Sequence, residues 1–153
     1  FIALRGSKYH GNKFINEAFN AGAEAKSIIT PWFKIGLSIC YDLRFPELYR
    51  SHEFKDVELI SVPSAFTKET GEAHWMTLLQ SRAIENLAYV VAPNQWGEHF
   101  GSRKTFGHSV IIDPWGEVID IKESGEGFAL AEIDTERLKS IRRKFPALVH
   151  RRL

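Results

Sequence analysis

The stretch GLSICYDLRFPE, residues 36–47, decides how this chain is read. It begins inside KIGLSI, residues 34–39, a compact apolar run of the kind found in a buried strand. It ends on Pro46, which suits the first turn of a helix because its missing N–H would have no partner there anyway. That helix is predicted to run to about residue 52. Cys40 lies between the two, at the carboxyl edge of a sheet, where α/β proteins tend to place their ligands. A helix N-terminus beside a thiol also favours the thiolate, its nucleophilic form. The plain alternative is that Cys40 is a small buried hydrophobe.

Outward from this segment, strand and helix patterns alternate. Residues 1–24 are rich in Gly, Asn and Lys and read as an irregular loop. Residues 27–30 make a short strand before Pro31, and residues 57–62 a second one stopped by Pro63. Trp75, Leu78, Leu79, Ala83 and Leu87 recur at helical spacing and predict a helix over residues 73–87. Residues 89–92 follow as a strand, and residues 95–105 as a polar loop. Residues 107–113 and 118–121 form a hairpin about the turn Pro114-Trp115-Gly116. Residues 128–133 read as a further strand. Asp134 is placed to cap a last helix through its carboxylate. Strand–helix–strand units followed by hairpins predict a mixed α/β sheet with helices on one or both faces. No repeat or linker divides residues 1–153, so one domain is expected.

Bulk composition narrows the function classes. With 153 residues, 44% hydrophobic and 25% charged, the chain has the make-up of a globular domain with a real core. A formal net charge of +1 gives no general attraction to nucleic acid or anionic membrane. No apolar run approaches the roughly 20 residues that span a bilayer. A single cysteine makes no internal disulfide and fits a reducing, cytoplasmic setting. His74, His99, His108 and His150 lack metal-ligand spacing, so neither metal nor cofactor is expected.

Residues 36–50 resemble the nucleophile segment of the nitrilase, or carbon–nitrogen hydrolase, superfamily. VPSAFT (62–67), AHW (73–75), RAIEN (82–86), NQWG (94–97), FGHS (106–109), DPWG (113–116) and HRR (150–152) resemble that family in the same order. Together they are similar to its Nit branch, which includes deaminated-glutathione amidases. The resemblance runs from about residue 20 to the end. It implies an α-β-β-α sandwich and a thiol-dependent hydrolase that converts a linear amide to a carboxylate and ammonia through a Cys thioester. An amide is a poor electrophile, so such chemistry needs an activated nucleophile, fixed donors for the oxyanion and a group that protonates the leaving ammonia.

Carried over position by position, the resemblance makes Cys40 the nucleophile and the Tyr41 backbone N–H an oxyanion donor. Phe1 matches the last residue of the family's Lys-x-His-Leu-Phe stretch. The catalytic Lys and the general-base Glu would then precede this sequence, which is expected to be the C-terminal portion of an enzyme. Glu17 is the nearest candidate for a further Glu that the family places between the Lys and the Cys. Arg44, Ser64, Ala65, Phe66 and Gln95 are expected to contact substrate; for Arg44 the alternative is a helical ion pair with Glu47. Trp96 and His99 share the loop of Gln95, where binding residues gather. His74 and His108 read as structural, and Arg82 with Glu85 as an ion pair.

Three functions compete at this point. The first is an amidase for a small linear amide, with a carboxylate-bearing substrate of the deaminated-glutathione type. The second is a degenerate family member that acts as a binding or assembly partner. The third is a nitrilase or carbamoyl hydrolase of different substrate range. The resemblance also implies a homodimer or larger homo-oligomer, with residues 146–153 as a tail that crosses between subunits.

Overall fold

A six-stranded sheet organises the chain in the computed structural model, which describes residues 22–99 and 102–152. Its strands are β1 (Lys26–Ile29), β2 (Lys34–Leu37), β3 (Leu59–Ser61), β4 (Tyr89–Ala92), β7 (Ser109–Ile112) and β8 (Val118–Lys122), in the order β1-β2-β3-β4-β7-β8. The central three, β2, β3 and β4, run parallel, with Ile35 opposite Leu59 and Leu59 opposite Tyr89. The outer strands pair antiparallel. Apolar runs buried on both faces are what a parallel core requires, and β3 and β4 have them.

One face of the sheet carries the larger core. Ile60, Val90, Ala92, Val110 and Ile112 pack there with Trp75, Leu79 and Ala83, and with Leu43, Leu48 and Tyr49. Each fully buried side chain of this size stabilises the fold by about 1.5–3 kcal/mol. Helix α1 (Pro46–Tyr49) and helix α3 (Met76–Asn86) supply much of this layer. A one-turn helix α2 (Lys68–Thr70) and a π-helical stretch, Gly71–Trp75, lead into α3. The opposite face carries a smaller cluster of Leu59, Tyr89 and Leu138, the last from helix α4 (Thr135–Lys144), with Phe33, Ile35, Val91 and Ile133 against it. Helix α5 (Ala147–His150) follows.

Side chains close the helix ends as expected. Asp134 accepts the Arg137 N–H at 2.8 Å and opens α4. Helix α3 ends at Leu87, in the left-handed region at φ 43°. Arg142 then donates to the carbonyls of Leu87 at 2.9 Å and Val57 at 2.6 Å, tying α4 across the end of α3. The turn at residues 113–116 is built by Asp113, which accepts the N–H groups of Trp115 and Glu117, both at 2.9 Å. Its other carboxylate oxygen takes the Arg137 guanidinium at 2.6 Å.

The structure corrects several sequence expectations. Residues 95–105 are not all loop: β5 (Trp96–His99) and β6 (Arg103–Phe106) form an antiparallel hairpin. Residues 128–133 form no strand, and Phe128 and Leu130 are largely exposed. The first helix stops at Tyr49 and gives way to a 3-10 turn at His52–Phe54. The mixed α/β class is as expected. Among the described residues no helix is long and apolar enough to cross a membrane.

Candidate active site

Parallel pairing brings three strand ends to one edge of the sheet, and it continues past the strands themselves. The Ser38 N–H donates to the Ser61 carbonyl at 3.1 Å, and the Cys40 N–H to the Pro63 carbonyl at 2.9 Å. On the other side, Val62 donates to Val91 and Ser64 to Pro93, both at 2.9 Å, and Gln95 donates to Ser64 at 3.0 Å. Cys40, Ser64 and Gln95 therefore lie side by side on three adjacent segments.

Together with Ile39, Pro63, Ala65, Pro93, Asn94 and Ser109, these residues line a cavity of about 540 Å³. That is a size suited to a small organic ligand.

Cys40 begins a 3-10 turn, Cys40–Arg44, with its own φ at +45°. For a residue with a Cβ this left-handed backbone costs about 1–2 kcal/mol, so the surroundings must hold it. Asp42, almost fully buried, accepts the Ile39 N–H at 2.9 Å. Burial pushes the Asp42 carboxyl above its ordinary value, and the Ile39 hydrogen bond opposes the rise. Arg82 grips the far end of the turn at the Leu43 carbonyl. Behind the turn, the Tyr49 hydroxyl donates to Ser38 Oγ at 2.9 Å, and Ser38 Oγ donates to the Ser61 carbonyl at 2.9 Å. The Tyr41 N–H has no acceptor among the described residues.

Cys40, Ser64, Ala65 and Gln95 thus share one cavity wall. Phe66 does not line it. Its ring is buried 4.7 Å from Trp75, because the hydrogen bond from its N–H to Asn94 Oδ1 at 3.0 Å draws that segment inward. Arg44 is also absent from the lining. Its guanidinium sits 5.4 Å from the Phe66 ring centroid and 5.7 Å from that of Tyr41, with His74 Nδ1 at 3.4 Å. Among the described residues it makes no ion pair with Glu47 or any other carboxylate. Arg82 and Glu85 do pair, at 2.8 Å.

His99 Nε2 lies 2.8 Å from Thr105 Oγ1 inside the hairpin, and His108 stacks on Phe106 at 3.9 Å. Neither lines the cavity, and nor does Trp96. Glu17 lies outside the described residues. Among the described residues no three His, Cys, Asp or Glu side chains gather as a metal site.

Of the lining residues not expected from the sequence, Ile39, Pro63, Pro93, Asn94 and Ser109, the last two carry polar side chains. Asn94 is buried, and its side chain accepts the Phe66 N–H and donates to the Gly107 carbonyl at 2.6 Å. Its partners lie 28 and 13 residues away, beyond the reach of local patterning. At the start of β7, Ser109 Oγ accepts the Asn94 N–H at 3.0 Å and donates to the Asn94 carbonyl at 3.2 Å; only its place in the FGHS motif pointed to it.

Comparison with known proteins places the chain in a family. The family model described as carbon-nitrogen hydrolase matches residues 5–143. A deaminated glutathione amidase of Dictyostelium discoideum is 50% identical over 153 residues, covering 99% of this chain and 51% of its own. The human deaminated glutathione amidase is 47% identical over 125 residues, 82% of this chain and 38% of its own. Among solved structures, the Caenorhabditis elegans NitFhit protein superposes with a TM-score of 0.81 at 47% identity, covering 87% of this chain and 32% of its own. Saccharomyces cerevisiae Nit3, of branch 10 of the nitrilase superfamily, gives 0.82 at 36% identity, covering 90% and 51%. The chain thus spans about half the length, or less, of these relatives. The family model spans most of the chain, the solved structures share its α/β fold, and the chain belongs to the carbon–nitrogen hydrolase family.

Proposed function

We propose that the protein hydrolyses a small linear amide through Cys40. The supporting observation is Cys40 itself: a strained thiol-bearing residue on a cavity wall, followed by a backbone N–H that has no acceptor among the described residues. The Cys40 thiolate attacks the amide carbon, the carbonyl electron pair moves onto oxygen, and the Tyr41 N–H donates a hydrogen bond to the resulting oxyanion. The carbon–nitrogen bond then breaks, the proton given up by the Cys40 thiol when the thiolate formed is returned to the departing nitrogen, ammonia leaves, and a thioester remains. Water adds to the thioester, the carbon–sulfur bond breaks, one water proton restores the Cys40 thiol, the other passes to solvent, and the carboxylate product is released. In this reading Ser64, Ala65 and Gln95 contact the substrate.

Within the amides, the reading favours a carboxylate-bearing substrate of the deaminated-glutathione type. The names of the relatives support it. So does Arg44, a half-buried guanidinium with no carboxylate partner among the described residues, four positions from the nucleophile. Its planar pair of donors suits a substrate carboxylate. The proposal includes a cytoplasmic setting, on the strength of the lone thiol, and a homodimer using the tail from residue 146 onward. In that tail Val149 is exposed and Arg151 donates to the Arg50 carbonyl at 2.9 Å. Gel filtration of the full-length protein tests the dimer, and a clean monomer refutes it.

The activity test incubates the full-length protein with deaminated glutathione and a panel of short amides, and measures ammonia. Thiol-dependent release, lost on iodoacetamide treatment and in Cys40→Ala, is the expected result. No release from any amide refutes the proposal.

A further inference from the structure

A buried polar cluster lies behind Cys40, in a place the hydrolytic steps do not reach. At its centre is Arg82 of α3, only 5% exposed. Its Nε and Nη2 both donate to the Leu43 carbonyl, at 3.2 and 2.7 Å. Its Nη1 donates to Glu85 at 2.8 Å, and the guanidinium lies 5.1 Å from the centroid of the Tyr49 ring. Leu43 belongs to the turn that Cys40 begins, and a turn of this kind leaves its last carbonyls without partners inside it. Here a charged two-pronged donor supplies the partner.

An ion pair at (i, i+3) is worth a few tenths of a kcal/mol on a helix surface and does not require the cation to be buried. Arg82 is buried, and two of its nitrogens are committed to a carbonyl 39 residues away in sequence. Desolvating a guanidinium is costly unless its donors are met. The arrangement therefore has to be explained by what it does for the turn.

We propose that Arg82 is a positioning residue for Cys40. By gripping the Leu43 carbonyl it keeps the Cys40–Arg44 turn wound. The wound turn in turn holds the left-handed backbone of Cys40 and leaves the next N–H, that of Tyr41, available. Asp42 pins the start of the turn at Ile39 and Arg82 pins its end. The geometric part of this inference stands on the structure; its consequence for turnover rests on Cys40 being the nucleophile.

The test uses the full-length protein with Arg82→Gln and Arg82→Lys. Four quantities are read: the rate of Cys40 alkylation by iodoacetamide from about pH 6 to about pH 10, kcat and KM for amide hydrolysis, and the thermal midpoint. Arg82→Gln is expected to lower both kcat and the alkylation rate by about tenfold or more, with KM within about twofold, because small misplacements of a reacting group are expensive. Arg82→Lys keeps a cation able to reach the carbonyl and should recover part of both rates.

A fall in thermal midpoint with kcat, alkylation rate and alkylation pH profile unchanged overturns the proposal. If Arg82→Gln does not fold, Arg82→Lys decides by the same criteria. If neither folds, Arg82 belongs to the core alone and the proposal fails. Failure of the amidase reading is seen separately: the unsubstituted protein releases no ammonia, while the dependence of alkylation on Arg82 is still measured.

Discussion

Replacing Cys40 by Gly should give a more stable protein than replacing it by Ala. Both changes remove the thiol, so they differ in the Cβ and in what it imposes on a backbone at φ +45°. Ala retains the strain, about 1–2 kcal/mol for a residue with a Cβ in the left-handed region. Gly removes it, at a cost of about 0.5–1 kcal/mol in the extra freedom of the unfolded chain. The balance favours Gly by roughly 0.5–1 kcal/mol. Urea unfolding of the two variants measures the difference, provided their m-values agree. Ala65→Gly on the same cavity wall is the control. Its φ is not positive, and it should lose about 0.5–1 kcal/mol. A Gly variant at position 40 that is less stable than the Ala variant would refute the view that the turn is held against its own preference.

Gly71→Ala should cost about 1–3 kcal/mol, since a Cβ there would overlap the Phe106 side chain of β6; a thermal midpoint within a degree or so of the parent would contradict that packing. Asp113→Ala, which leaves two backbone N–H groups without their acceptor and Arg137 with only its 3.5 Å contact to Glu117, should lose about 2–4 kcal/mol, whereas Asp113→Asn keeps an oxygen for the N–H pair and should lose about 1 kcal/mol; equal losses in urea unfolding would argue against the turn-forming role. Burial raises the Tyr49 phenol far above its ordinary value, so its contribution to stability is full below about pH 10 and declines as the pH rises further. Tyr49→Phe should flatten the alkaline fall of the urea midpoint while losing about 1 kcal/mol at neutral pH, and an unchanged alkaline slope would count against the buried phenol.

Residues 89–92, Tyr-Val-Val-Ala, could be read directly as a strand because burial on both faces leaves no polar alternation to confuse the pattern. The hairpin at residues 96–106 was hidden for the opposite reason. WGEH and RKTF are mostly polar and exposed, and the pairing that makes them strands lies across the turn. The apolar residues at 128–133 misled because Phe128 and Leu130 point to no buried face among the described residues.

At the site, Cys40 stood out through its flanking motifs, Ser64 and Ala65 through their place after a strand end, and Gln95 through its polar loop. The bond that turns Phe66 into the core comes from Asn94, 28 residues away, and local patterning carries no trace of it. The positive φ of Cys40 was equally invisible, because nothing in the residue type favours it. It is set by Asp42 on one side and by Arg82, on a different helix, on the other.

The parallel arrangement of β2, β3 and β4 has a consequence for how the cavity appears during folding. β1 with β2, and β7 with β8, are joined by short turns and can form from local encounters. Strand β3 has no partner across a short turn. Both of its partners are reached only after long chain segments have been ordered, so its pairing bears a large loop-closure entropy. Cys40, Ser64 and Gln95 meet only once β3 is seated on both sides. Amide hydrogens of β3 should therefore exchange only through global unfolding, and alkylation chemistry specific to the native cavity should vanish with the last cooperative step and not with fraying at the edges of the sheet.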